Sequence, residues 1–134
     1  MRELLGIFKL VSDELRVRIL LLLSRKELSV CQLMGITWAS QPLVSRNLSL
    51  LSRGGFLDER REGKLRFYSI RKGLAPDRTA VLGLLRSLLK TDARYKDDRA
   101  TLRECSRFQK NAGKCDMKTL QEFMAWKKRK EGGR

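Results

Sequence analysis

Ser40-Gln41-Pro42-Leu43-Val44-Ser45-Arg46-Asn47-Leu48-Ser49-Leu50-Leu51-Ser52-Arg53-Gly54-Gly55 is a helix written out with its own start and stop signals. Ser40 can cap it by accepting from a backbone N–H of the first turn, and Pro42 is tolerated there because that turn lacks intrahelical N–H partners. Gly54-Gly55 ends it. Val44, Leu48 and Leu51 recur at i, i+4 and i+7, so they form one buried stripe. The opposite face carries Pro42, Ser45, Arg46, Ser49 and Arg53. A basic outer face on one helix is by itself commonly no more than a solvated surface; its neighbours in the chain and the net charge decide what it meets.

Working outward, a short helix is predicted from Val30 to Ile36, with a tight connection over Thr37–Ala39. Downstream, Phe56 to Ile70 turns extended about Arg60-Arg61-Glu62-Gly63-Lys64, which reads as a β-hairpin. Upstream, Ser12 or Asp13 caps a helix whose residues Leu15, Val17 and Ile19 to Leu23 are apolar nearly all round, as in a central core element. Arg16 and Arg18 on it must snorkel outward or pair with acids. Leu4, Leu5, Ile7, Phe8 and Val11 give a first amphipathic helix. Pro76-Asp77 opens a fifth helix lined by Val81, Leu82, Leu84, Leu85, Leu88 and Leu89. A break follows near Thr91-Asp92, then a polar helix to Phe108, a turn over Gln109 to Cys115, and a short helix through Met117 and Met124.

Two short helices, a tight turn and a basic hairpin make the winged helix-turn-helix order: mainly α with a β-hairpin wing. The divisions expected are 1–90 for a DNA-binding and dimerisation domain, 91–126 for a helical extension carrying two cysteines, and 127–134 for a disordered basic tail. The exposed apolar residues of the first helix (Leu4, Ile7, Phe8) and the fifth (Leu82, Leu85, Leu89) call for a second copy of the chain.

The 134 residues hold 30 Lys/Arg against 15 Asp/Glu, a net charge of +15, which points to a polyanionic partner, double-stranded DNA given the helix order. A helix fits the major groove, where Arg46 can take a guanine bidentately and Gln41 can reach an adenine. Ser45 and Ser49 can donate to phosphates, beside a helix N-terminus (Ser40, Pro42) that favours a phosphate oxygen. Arg60, Arg61, Lys64 and Arg66 of the hairpin face the backbone or minor groove. Histidine is absent, which removes the usual general base and most zinc chemistry. With no glycine-rich phosphate loop and no clustered carboxylate pair, neither an enzyme nor a small-molecule substrate is expected, and no zinc. No membrane span is expected, since the longest strongly apolar run, Ile19 to Leu23, is short, and Glu3, Lys9 and Asp13 break any apolar leader. The expected location is the cytoplasm.

These residues resemble the ArsR/SmtB family of bacterial repressors. Ser12-Asp13-Glu14-Leu15-Arg16-Val17-Arg18-Ile19-Leu20 is similar to the family's S-D-P-T-R-L-R-I-L, and Ser40 to Leu48 to its recognition-helix pattern S-Q-P-x-V-S-R-H-L. Arg60 to Lys64 resembles its wing. Asn47 stands where the family has His, and Trp38 where it has the turn glycine. The resemblance implies that Asn47 belongs to the recognition helix's DNA-contacting set. It also implies a homodimer built on the first and fifth helices, and sequence-specific repression relieved by an effector.

Glu27-Leu28-Ser29-Val30-Cys31-Gln32-Leu33-Met34 resembles the family's arsenite motif E-L-C-V-C-[DE]-L-C with only the middle cysteine kept. One thiolate cannot hold trivalent arsenic, which takes three sulfurs. Cys105 and Cys115, amid Arg103, Arg107, Lys110 and Lys114, are the other candidates, since positive surroundings favour the thiolate. Three readings stay open: an As(III) or Sb(III) site of Cys31, Cys105 and Cys115; a redox pair responding to oxidants; or three unrelated thiols in a constitutive DNA-binding protein.

Overall fold

The computed structural model describes residues 1–112 and 117–132, with side chains for 1–107 and 118–131. Its elements run α1 (Arg2–Leu10), α2 (Glu14–Leu23), β1 (Leu28–Ser29), α3 (Val30–Thr37), α4 (Gln41–Arg53), β2 (Leu57–Glu62), β3 (Leu65–Ile70), α5 (Pro76–Leu88), α6 (Ala93–Ala112) and α7 (Met117–Gly132). This is a mainly helical winged helix-turn-helix.

The caps fall where side-chain chemistry puts them. Asp13 accepts from the Arg16 N–H at 3.0 Å and opens α2. Ser29 and Gln32 form a reciprocal capping box at the start of α3, with the Ser29 hydroxyl accepting from the Gln32 N–H and the Gln32 amide oxygen from the Ser29 N–H. Ser40 accepts from the Leu43 N–H at 3.4 Å at the start of α4. The core lies where α2, apolar nearly all round from Ile19 to Leu23, is covered by α3, α4, α5 and α6. Ile19, Leu20, Leu22, Leu33, Val44, Leu48, Leu51 and Phe56 are all removed from water. Fully burying a Leu or Ile side chain contributes roughly 1.5–3 kcal/mol, so this cluster is the principal source of stability.

Three features depart from the sequence expectations. The wing is a three-stranded sheet, ordered β1-β3-β2, because Leu28 and Ser29 pair antiparallel with Tyr68 and Phe67. A two-residue strand has no periodicity to detect, yet it buries Leu28 and ties the wing to α3. Second, α6 reaches Ala112 rather than ending at Phe108. The expected turn at Gln109–Cys115 is thus helical over its first part, and Gly113 to Asp116 lie outside the described residues. Third, of the disordered tail expected over 127–134, residues 127–132 are the last turns of α7, and 133 and 134 lie outside the described residues. Lys127 is buried and donates to Glu104 on α6 at 2.7 Å, which anchors the basic end.

The extension packs onto the helix-turn-helix itself. Both α6 and α7 lie against α3. Leu120 and Phe123 are buried over Gly35, where a Cβ would come within 2.7 Å of Leu120 Cδ1. Arg18 on α2 grips Asp98 on α6 through two bonds of 2.9 Å.

Candidate nucleic-acid interface

The outward face of α4 is built by its inward one. Val44, Leu48 and Leu51 are fully buried, and the 3.6-residue period then leaves Gln41, Pro42, Ser45, Arg46, Ser49 and Arg53 exposed in one row. Among the described residues Arg46 makes no hydrogen bond or ion pair, so its guanidinium is available to a partner. The Ser40 hydroxyl is occupied as the helix cap.

Asn47 does not join this row. It is 4% exposed, donates to the Leu43 carbonyl at 2.9 Å and accepts from Arg16 at 3.2 Å. Its place three residues after Val44 turns it to the core side, so the expected DNA contact is corrected to a residue that fixes α4 against α2. Leu43 departs in the other direction. At 47% exposure it presents an apolar group on the flank of α4 next to Arg46, one turn on, rather than on the side of Gln41 and Ser45, and is suited to a thymine methyl. The signal was in the sequence: Leu43 lies outside the i, i+4, i+7 stripe.

In the wing, Arg61 and Arg66 face each other directly across β2 and β3. Like charges opposite one another destabilise a strand pair unless an anion intervenes. Glu59 lies 3.7 Å from both, too far for hydrogen bonds. Arg60 points elsewhere: it binds Glu27 at 2.8 Å and Glu62 at 3.0 Å, and stacks over Phe67 at 4.6 Å. These partners raise the Arg60 pKa further above its usual value, and the bond from Arg60 lowers that of Glu27. Arg60 thus braces the wing against the start of β1, which the charge pattern alone did not reveal. Lys64 sits at the hairpin turn with no partner among the described residues. Gln41, Ser45, Lys64 and Arg66 line a single groove of about 530 Å³ between α4, the wing and the first turns of α3. The structure therefore gathers four of the predicted contacts at one surface.

The cysteines are distributed differently. Cys31 is half-buried on the α3 side of that groove, and Cys105 is 1% exposed, packed in the core with Leu102 and Phe123. Cys115 lies outside the described residues. Their helices, α3 and α6, pack against each other.

An amphipathic helix set after a tight turn and flanked by a basic wing defines a winged helix-turn-helix protein. The family model described as "Bacterial regulatory protein, arsR family" matches residues 13–59. The Arsenical resistance operon repressor of Escherichia coli is 45% identical over 65 residues, 48% of this chain and 56% of that protein. The chain thus spans little more than half the length of the curated relatives it matches. Reduced HlyU from Vibrio cholerae superimposes with a TM-score of 0.58 at 30% identity, covering 65% of this chain and 88% of that one. A homodimeric winged helix-turn-helix DNA-binding domain from Mycobacterium bovis, described as a possible ArsR-family regulator, gives 0.57 at 25% identity, covering 69% and 82%. The chain belongs to the ArsR family of bacterial regulatory proteins. Among the described residues no helix is long and apolar enough to cross a membrane.

Proposed function

We propose that this chain is a homodimeric, sequence-specific repressor that places α4 in the DNA major groove. The observation that carries the reading is the outward row of Gln41, Ser45, Arg46 and Ser49, sharing a surface with Lys64 and Arg66 of the wing. Arg46 and Gln41 read bases; Ser45, Ser49 and the wing cations hold phosphates. The net charge of +15 supplies the sequence-independent attraction.

The dimer reading rests on uncovered apolar side chains. Leu4, Leu5 and Phe8 on α1 and Leu84 and Leu88 on α5 are 44–71% exposed. These helices adjoin, joined by the 2.9 Å pair of Arg78 with Glu3. Ile7 and Leu82, first expected at the interface, are buried within the chain. Two copies related by a twofold axis would set their α4 helices about 34 Å apart, one turn of DNA.

Release by As(III) or Sb(III) on Cys31, Cys105 and Cys115 is the effector reading, and a thiol redox response is its alternative. The packing of α3 on α6 and the arsenic-resistance relative support the first. An effector must bind the DNA-incompetent state more tightly, since equal affinity shifts nothing. The test is a mobility shift on DNA upstream of the chain's own gene, with and without arsenite. A retarded band released by arsenite in the wild type, but not in Cys105→Ser or Cys115→Ser, supports both parts. Binding that ignores arsenite removes the metalloid reading, and no binding removes the repressor.

A further inference from the structure

Trp38 ends α3 in the left-handed conformation, at φ 61° and ψ 17°. It is the one non-glycine residue with positive φ among the described residues. An L-residue there crowds its Cβ against the following carbonyl, and glycine removes that strain. The tryptophan side chain does not repay it by burial, since Trp38 is 47% exposed. It lies on the edge of a cavity of about 590 Å³ enclosed by the helix-turn-helix turn, α6 and α7.

The charges around this cavity run against those of the chain. Four carboxylates (Asp97, Asp98, Glu104, Glu131) meet three cations (Arg18, Arg94, Lys127), whereas the whole sequence carries two bases for each acid. Three of the carboxylates are committed: Asp98 to Arg18, and Glu104 and Glu131 to Lys127. Asp97 forms no ion pair among the described residues. Thr101 lines the same cavity at 7% exposure, and its hydroxyl makes no hydrogen bond to a described residue. Ile36 and Ala100 add an apolar wall.

We infer that this cavity binds a small, flat organic cation, stacked on the Trp38 indole with its N–H groups donating to the Asp97 carboxylate and the Thr101 hydroxyl. An aromatic face attracts a cation through its ring quadrupole, and tryptophan is the strongest such face. A carboxylate without a partner supplies the charge, and a nearly buried hydroxyl without one supplies a directional acceptor. A neutral ligand satisfies neither demand, and an anion meets an acidic mouth. The site uses no cysteine and no DNA contact, so it stands or falls apart from the repressor reading.

Benzamidine is a suitable probe, with benzamide as its neutral counterpart. Titrated into the full-length chain, benzamidine should saturably shift the Trp38 indole N–H resonance and leave that of Trp126 in place, with a midpoint on the order of 1 mM for so small a ligand. Asp97→Asn should weaken binding about three- to tenfold. Trp38→Gly should abolish binding while unfolding at the same or a higher temperature, because glycine suits the turn. Equal response to benzamide, a midpoint unmoved by Asp97→Asn, or a response still linear at about 10 mM would overturn the assignment.

Discussion

Arg16 on α2 donates to the Asn47 side-chain oxygen on α4 at 3.2 Å, behind the helix face that carries Arg46. The same Arg16 holds the Leu10 carbonyl at 2.6 Å, so one guanidinium links the end of α1 to the recognition helix. Asn47 completes its amide by donating to Leu43. Asn47→Ala leaves the half-buried Arg16 guanidinium short of an acceptor that water can partly replace, and should cost about 0.5–1.5 kcal/mol of stability. Because Asn47 faces away from the groove, the substitution should lower affinity for all DNA sequences alike. Denaturant unfolding and competition binding across single-base operator variants check both halves; a change in base preference would return Asn47 to the contacting set.

Base reading and phosphate anchoring separate experimentally. Arg46→Ala should cost roughly 1–3 kcal/mol on the preferred operator and relax one base position. Lys64→Ala should weaken all sequences similarly and reduce the salt slope by about one unit. Leu43→Ala should diminish preference for thymine at one step, without altering the salt slope. Titrations at several salt concentrations on matched and mismatched duplexes resolve the three. An Arg46→Ala variant with its operator preference intact would mean that another face of α4 meets the bases.

The readable part of the molecule was its local signals. Ser40, Asp13 and Pro76 marked helix starts, Gly54 a stop, and the Val44–Leu48–Leu51 spacing fixed which side of α4 faces out. The unread part was tertiary. The resemblance put Asn47 among the DNA contacts, but an arginine 31 residues earlier satisfies it inside. Arg60 looked like a free wing cation, and its partner Glu27 is 33 residues away. Lys127 to Lys130 read as a solvated tail because their composition is polar, yet Glu104 receives both lysines. Each of these depends on a partner whose sequence distance no local pattern encodes.

Arg18 and Asp98 form a buried ion pair between the winged domain and its extension. Asp98 is 3% exposed with both oxygens bound to the Arg18 guanidinium, whose pKa this bonding raises. Arg18→Ala strands a buried carboxylate and should destabilise by about 3–5 kcal/mol. The double replacement Arg18→Met with Asp98→Leu removes both charges and should recover much of that loss. Thermal unfolding of the wild type and the two variants decides it: equal loss in the single and the double variant would show that the stranded charge is not what costs stability.

Acid should loosen the extension before the winged domain. Burial pushes the Glu104 carboxyl up, but the hydrogen bonds and charges of Lys127 and Lys130 outweigh it and hold the pKa below the ordinary 4.5. A carboxylate lowered on folding contributes stability above its unfolded pKa and loses it as pH falls through the folded value. The contact between α6 and α7 should therefore weaken below about pH 4.5, where the unfolded chain takes up the proton more readily. Trp126, whose ring lies 5.2 Å from Lys130, reports on it by fluorescence. Glu104→Gln should flatten this transition; an unchanged acid midpoint would place the sensitive group elsewhere.

Gly35 sets how closely α7 approaches the helix-turn-helix. A Cβ there meets Leu120 Cδ1 at 2.7 Å and Phe123 Cδ1 at 3.4 Å, so the first contact is with the end of a movable side chain and the second with a rigid ring. Gly35→Ala gains up to about 1 kcal/mol of helix propensity and spends part of it turning Leu120 aside, leaving stability near that of the wild type. Gly35→Val adds two methyl groups where Phe123 cannot yield, and overpacking of this kind costs about 1–3 kcal/mol. That strain should be relieved by α7 lifting from α3, since the opposite side of α3 is fixed by Leu33 and Ile36 in the core. The Trp126 emission should then move toward that of exposed indole in the valine variant alone, with unfolding at a lower temperature. If valine lowers stability while Trp126 keeps its emission, the strain has been taken up inside the helix-turn-helix, and α7 is the more rigid partner.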